Sequence, residues 1–155
     1  MSQPMNITAL SIGGALIASL ALAQGDPLAG AVAARHAHMD LYAFNLGVLG
    51  GMAQGAVAYD AGAATAAADN LVALASINQT NYWLPGTESG AVEGSRTKVE
   101  LWSAMDDLTA RQAALVDAAA AMQAGAGTDL VSLQAAMGPL GSACGACHMA
   151  YRVPN

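Results

Sequence analysis

Hydrophobic residues recur at steps of three and four along most of this chain, the spacing that lines one face of an α-helix. Leu28, Val32, Arg35, Met39, Tyr42, Leu46, Leu49 and Ala53 alternate the two steps without a break. They predict a long first helix, opened by Asp26 as N-cap with Pro27 at the first helical position and closed at Gly55. Tyr59-Asp60 opens a second helix with a shorter apolar face, Ala67, Leu71 and Leu74, expected to finish near Asn78. Residues 78–97 hold Pro85-Gly86, Gly90 and Gly94 among polar side chains, which is loop chemistry and marks the longest connection, read here as the crossover. A third helix is expected to open at Glu100-Leu101-Trp102 and to run through Met105, Leu108, Gln112, Leu115, Ala119 and Met122 to the glycines at 125 and 127. In the fourth, capped by Thr128, the same spacing carries Leu130, Leu133, Met137, Leu140, Cys144, Cys147 and Tyr151, and Pro139 should kink it without ending it. Four amphipathic helices with facing seams predict an all-α bundle.

Composition agrees with the pattern. The chain has 155 residues, 55% hydrophobic and 10% charged, enough for the core of one domain and too apolar for disorder. Alanine is the commonest residue; it is the best helix former and is depleted from strands, so an all-β fold is excluded. Eleven acidic against five basic side chains give a net charge of −6. With no lysine or arginine cluster to follow a phosphate backbone, nucleic acid is not an expected partner.

The first charged residue is Asp26. Ile7 to Ala23 is uncharged and mostly apolar, and ends in Ala21-Leu22-Ala23, a small-x-small cleavage site. Residues 1–23 therefore read as a secretory signal peptide, although Met1 to Asn6 lack the usual positive side chains. At seventeen residues, with glycines and hydroxyls inside it, the segment is short for a membrane span, so no stable membrane insertion is expected after processing. The mature domain is expected to be 24–155, in the periplasm.

Two cysteines are too few for a disulfide scaffold, so their spacing carries the information. Cys144-Gly145-Ala146-Cys147-His148 places two thiols and an imidazole over one face of a helix. Thioether bonds from both thiols to the vinyl groups of a haem would hold the porphyrin there, with His148 as axial ligand to the iron. A thioredoxin-like pair expects a βαβ context that is missing, and a zinc site lacks a fourth ligand. One covalent haem c is the expected cofactor, and bacterial thioether formation outside the cytoplasm agrees with export.

The motif lies close to the C-terminus, with only seven residues after His148, and four helical segments precede it. In this arrangement the chain resembles the cytochrome c′ family, the class II c-type cytochromes, over the whole mature region. Similar stretches are Ala31 to Arg35 with Met39 one turn on, Tyr59-Asp60, Pro85 to Glu88, Glu100-Leu101-Trp102, and Cys144 to Arg152. The resemblance implies an up-down-up-down four-helix bundle. It also implies that Arg35 lies near a haem propionate, that Met39 faces the distal side of the iron and that Arg152 flanks the proximal imidazole, with Tyr42, Leu46 and Trp102 as further haem contacts.

Met39 leaves two functions open. Its thioether ligates the iron in a low-spin electron carrier, or its side chain gates a pentacoordinate iron that binds nitric oxide or carbon monoxide. The second is the favoured reading; Met39, Tyr42, Ala43 and Leu46 then form an apolar distal pocket that disfavours dioxygen. His36, at the margin of the seam, and His38, expected to face solvent, are the alternative sixth ligands. A haem peroxidase needs a distal acid–base group, for which His36 is the one candidate, so no enzyme activity is expected. Expected partners are diatomic gases and a redox protein; the resemblance also implies a second copy of the chain, docked through the first two helices, where Gly47, Gly50, Gly51 and Gly55 would permit close approach.

Overall fold

The computed structural model describes residues 25–154 and contains four α-helices. These are α1 (Pro27–Ala53), α2 (Ala61–Ala75), α3 (Met105–Ala126) and α4 (Leu130–Tyr151), with short 3₁₀ turns at Thr80–Tyr82 and Val99–Ser103. The signal-peptide segment and its cleavage site lie outside the described residues.

Asp26 caps α1, its carboxylate accepting from the Leu28 N–H at 3.0 Å with Pro27 behind it, and Asp60 caps α2 through the Ala63 N–H at 2.7 Å. Three boundaries differ from expectation. Helix α2 stops at Ala75, where the Ser76 hydroxyl turns back onto the Val72 carbonyl and Asn78 closes a turn onto the Thr80 N–H. The Glu100 to Trp102 stretch is 3₁₀, and α3 starts only at Met105. The cap of α4 is Asp129, whose carboxylate accepts from the Ser132 N–H at 2.7 Å, in place of Thr128. Pro139 sits inside α4, which continues to Tyr151.

Each helix packs on the next and α1 closes against α4. At one end of the bundle Tyr59 donates to the Ala126 carbonyl and Gln134 to that of Ala53, so the α1–α2 and α3–α4 connections lie together. The connections are short, which forces antiparallel neighbours, and the order is up-down-up-down. Gly127 permits the close contact there: a Cβ on it would come 2.2 Å from the Thr65 hydroxyl. The long 76–104 connection is not a crossover. It stays at the opposite end, beside the start of α1 and the end of α4.

Leu49, Leu71, Leu108, Met122, Leu133 and Leu140 are fully buried and form the centre of the core. All six stand on the seams read from the sequence, or on the α2 face. His38, expected in solvent, is buried. Helix α1 packs against α2 and α4 and also carries the 80–82 turn, so more of its circumference is covered than one seam provides, and the His38 ring stacks near Tyr42 and Tyr82.

Candidate functional site

At the end closed by the long connection, α1, α3 and α4 diverge around a cavity of about 520 Å³. Cys144, Cys147 and His148 line it from α4, and Arg35, Met39, Tyr42 and Leu46 from α1. Both cysteines are free and half-buried, and burial pushes both thiols up in pKa, so they are neutral at pH 7. His148 moves the other way. Burial, then the nearby Arg152 and Arg96 charges, lower its pKa, leaving a neutral imidazole with a lone pair for a metal ion.

The end of α4 is tied down by the loop. Lys98 donates from Nζ to the Met149 and Ala150 carbonyls, Arg96 donates to the Val153 carbonyl, and backbone bonds run from Lys98 N–H to Tyr151 and from Val153 N–H to Arg96. Lys98 thus satisfies two carbonyls that the C-terminus of α4 leaves open, and Arg96 holds the residue after the cap, all close to His148. Arg152 borders the cavity as an exposed residue at the C-cap of α4.

Arg35 is 5% exposed although it carries a charge. Its guanidinium donates to the carbonyls of Tyr82 and Thr87 and to the hydroxyls of Thr87 and Ser95, at 2.9–3.3 Å. The Pro85-Gly86 turn makes this possible: Gly86 has φ 86°, the left-handed conformation a type II turn needs at that position, and Thr87 emerges facing α1. Burial lowers the pKa of Arg35, and no carboxylate lies within ion-pair distance of it among the described residues. The Trp83 ring lies 5.1 Å from the guanidinium, its indole N–H buried and unpartnered.

Trp102 was expected to touch the cofactor and does not line the cavity. Its indole N–H instead donates to the Trp83 carbonyl at 3.1 Å, bracing the loop from behind, because the 3₁₀ turn aims it there. His36 is exposed at the cavity edge. Trp83, Arg96, Thr97 and Arg111 line the cavity without having been read from the sequence. The first three sit in an aperiodic loop; Arg111 follows the α3 seam position Leu108 by three and offered only a charge as signal.

Arg111 links α3 to the cysteine segment. It donates to Asp107 at 2.6 Å and to the Ala146 carbonyl at 3.0 Å, and Asp107 also accepts from the Tyr151 hydroxyl. The Arg111 bond first, then that from Tyr151, holds the Asp107 carboxyl below its ordinary 3.8. A depressed carboxylate adds stability above its unfolded pKa and loses it as pH falls through the folded value. Asp107→Asn is therefore expected to melt below the wild type at pH 7, with the gap closing as pH drops below about 3.8. A gap that stays constant in thermal melts from pH 7 to pH 2.5 would exclude this linkage.

The walls fit a haem. Two neutral thiols three residues apart, a neutral imidazole beside them, an apolar wall from α1 and α3, and a buried cation with no carboxylate of its own match the vinyl groups, the iron, the ring and a propionate. The cytochrome C′ family matches residues 30–152. Cytochrome c-554 of Cereibacter sphaeroides is 44% identical over 147 residues, 94% of this chain and 96% of that protein. The solved cytochrome c′ from Rhodobacter Spheriodes is 35% identical with TM-score 0.79, covering 83% of this chain and 98% of its own. A ferrous variant of cytochrome c prime from Alcaligenes xylosoxidans with bound NO gives TM-score 0.72 at 30% identity, over 84% and 98% of the two chains.

Proposed function

This chain belongs to the cytochrome c′ family of c-type haem proteins, and we propose that it binds diatomic gas at a pentacoordinate haem iron outside the cytoplasm. The observation that carries the reading is the convergence on one cavity of Cys144, Cys147 and His148 from α4 with Met39 and Leu46 from α1. The haem, when bound, supplies a redox-active iron with a coordination position for a small ligand.

Cys144 and Cys147 would hold the porphyrin by thioether bonds, and neutral His148 would offer a nitrogen to the iron. Arg35 would meet a propionate, and Arg152 would keep a cation beside the imidazole. Met39, half-buried on the cavity wall, is the gate that limits which ligands reach the iron. Acid–base catalysis has little to work with: His36 and Asp40 stand at the rim as exposed residues, so the protein is a binder and electron carrier and not an enzyme. The nitric oxide complex of the Alcaligenes protein supports the gas reading.

The same placement of Met39 favours a second reading, ligation of the iron by its thioether in a low-spin electron carrier. Ferric and ferrous absorption spectra separate the two. The expected result is a high-spin ferric protein in which Met39→Ala stays high-spin and binds carbon monoxide faster. A low-spin wild type that turns high-spin in Met39→Ala makes the thioether the ligand; a low-spin form lost only in His36→Ala assigns the histidine.

Export after cleavage near Ala23 fits haem attachment in the periplasm, where a redox protein is the expected electron partner. A homodimer through α1 and α2 fits the exposed Phe44 and Val57, which flank a groove along Gly47 and Gly51.

A further inference from the structure

Positive charge is gathered at the cavity in a chain that is otherwise acidic. Eleven acidic and five basic side chains make up its charge, yet Arg35, Arg96, Arg111 and Arg152 all line the cavity, with Asp40 as the one acidic lining residue. The fifth base, Lys98, lies beside them, donating from Nζ to the Met149 and Ala150 carbonyls. Away from this end the surface holds acids alone, Asp60, Asp69, Asp117 and Asp129.

Two of the bases are committed inward, Arg35 to the loop it anchors and Arg111 to Asp107. The other three follow one short edge, where the loop is stitched to the end of α4. Thr97 bridges Arg152, the Lys98 N–H bonds the Tyr151 carbonyl, and the Val153 N–H bonds that of Arg96. Arg152 is exposed, and Arg96 and Lys98 are half-buried, so backbone contacts hold the charges in place before any partner arrives. The acids of the same loop, Glu88, Glu93 and Glu100, form no ion pair with them among the described residues.

This edge also holds apolar surface. Val99 is 61% exposed and Met149 77%, and the Lys98 bonds set the two side by side. Met149 directly follows His148, so the patch lies over the turn that carries the imidazole. An apolar centre within a charged rim is the anatomy of a protein docking site.

We propose that the Val99–Met149 patch, rimmed by Arg96, Lys98 and Arg152, docks the acidic face of a redox partner protein. One electron then passes between the haem iron and the partner's redox centre, one being oxidised as the other is reduced. The acids on the rest of the surface repel such a partner, so charge steers it to this edge. The inference rests on the haem reading above and not on which role Met39 takes.

The test uses the haem-loaded ferrous protein under carbon monoxide, which is diamagnetic whether Met39 ligates or gates. Hexacyanochromate(III), an inert paramagnetic trianion, stands in for an acidic surface. At low salt it is expected to broaden the amide signals of residues 96–99 and 149–153 first, and about 0.2 M salt should relieve the effect. Val99→Glu and Met149→Glu should each weaken this footprint. Val131→Glu, also on an exposed residue but at the far end of α4, adds the same charge and should leave it intact. Without carbon monoxide, oxidation by hexacyanoferrate(III) should slow about tenfold between about 10 mM and 200 mM ionic strength. The net charge of −6 acting alone would make it faster. A rate that rises with ionic strength, or broadening spread evenly over the surface, overturns the proposal. A low-salt dimer that Met149→Glu dissociates gives the face to a second copy and overturns it as well. A chain without covalent haem overturns the haem reading and the redox role with it, whereas a haem-loaded chain without the anion footprint overturns the docking face alone.

Discussion

Replacing both Cys144 and Cys147 with serine is expected to release all of the haem into acid–acetone, whereas the wild-type protein keeps its haem in the precipitate. Acid would protonate His148 and break any coordination by it, so only covalent attachment survives extraction. The two thiols are free in the fold and share one cavity wall, three residues apart on α4. The single variants retain one thioether each and should still resist extraction, which separates loss of attachment from general damage to α4. The double variant should also lose helix content. Its cavity of about 520 Å³ is walled by side chains that face water once the ring is gone, and a void of that size cannot close without moving whole helices. Haem extracted freely from the wild type would remove the attachment chemistry from this reading.

Arg35→Ala should produce the largest loss of stability by a single substitution near the site. Four hydrogen bonds from a buried guanidinium hold Tyr82, Thr87 and Ser95 against α1. Hydrogen bonds to a charged group contribute about 1.5–3 kcal/mol each, but they share one side chain and are not additive. Relief of burying the charge offsets part of the loss. A net cost of roughly 2–4 kcal/mol follows. Thermal denaturation measures it, and limited proteolysis should locate new cleavage in residues 79–97. The reduction potential should fall as well, because a cation near the iron favours the reduced form. Arg35→Lys should restore the potential more fully than the stability, since an ammonium carries the charge without the planar fork that spans Thr87 and Ser95. An Arg35→Ala protein that melts together with the wild type would show that the loop is held by other contacts.

Periodicity reads helices well where one face alone is buried, and the seams of α1, α3 and α4 show it: Leu49, Leu108 and Leu140 are all within 2% of full burial. The grouping of Cys144, Cys147 and His148 on one cavity wall was equally legible, because two cysteines and a histidine at fixed helical offsets keep their geometry wherever the helix packs. Asp26 and Asp60 declared their helices by local chemistry that needs no partner from elsewhere in the chain.

What the tertiary structure decided lies where one element meets another. Burial of His38 depends on a turn more than forty residues later, and no pattern within α1 could report it. Leu101 continues the three–four spacing of Met105 and Leu108, yet the Glu100 to Trp102 stretch is 3₁₀, with the Trp102 indole N–H donating to the Trp83 carbonyl. The 76–104 connection looked like a crossover on length alone; Arg35 and the end of α4 hold it at one end of the bundle. The sequence by itself determined four helices and the grouping of two thiols and an imidazole on one helix, since both rest on spacings of a few residues. Only the assembled bundle decided which polar side chains line the cavity, Arg35, Arg96 and Arg111 among them, because orientation across a cavity is set by helices and loops that are remote in the chain.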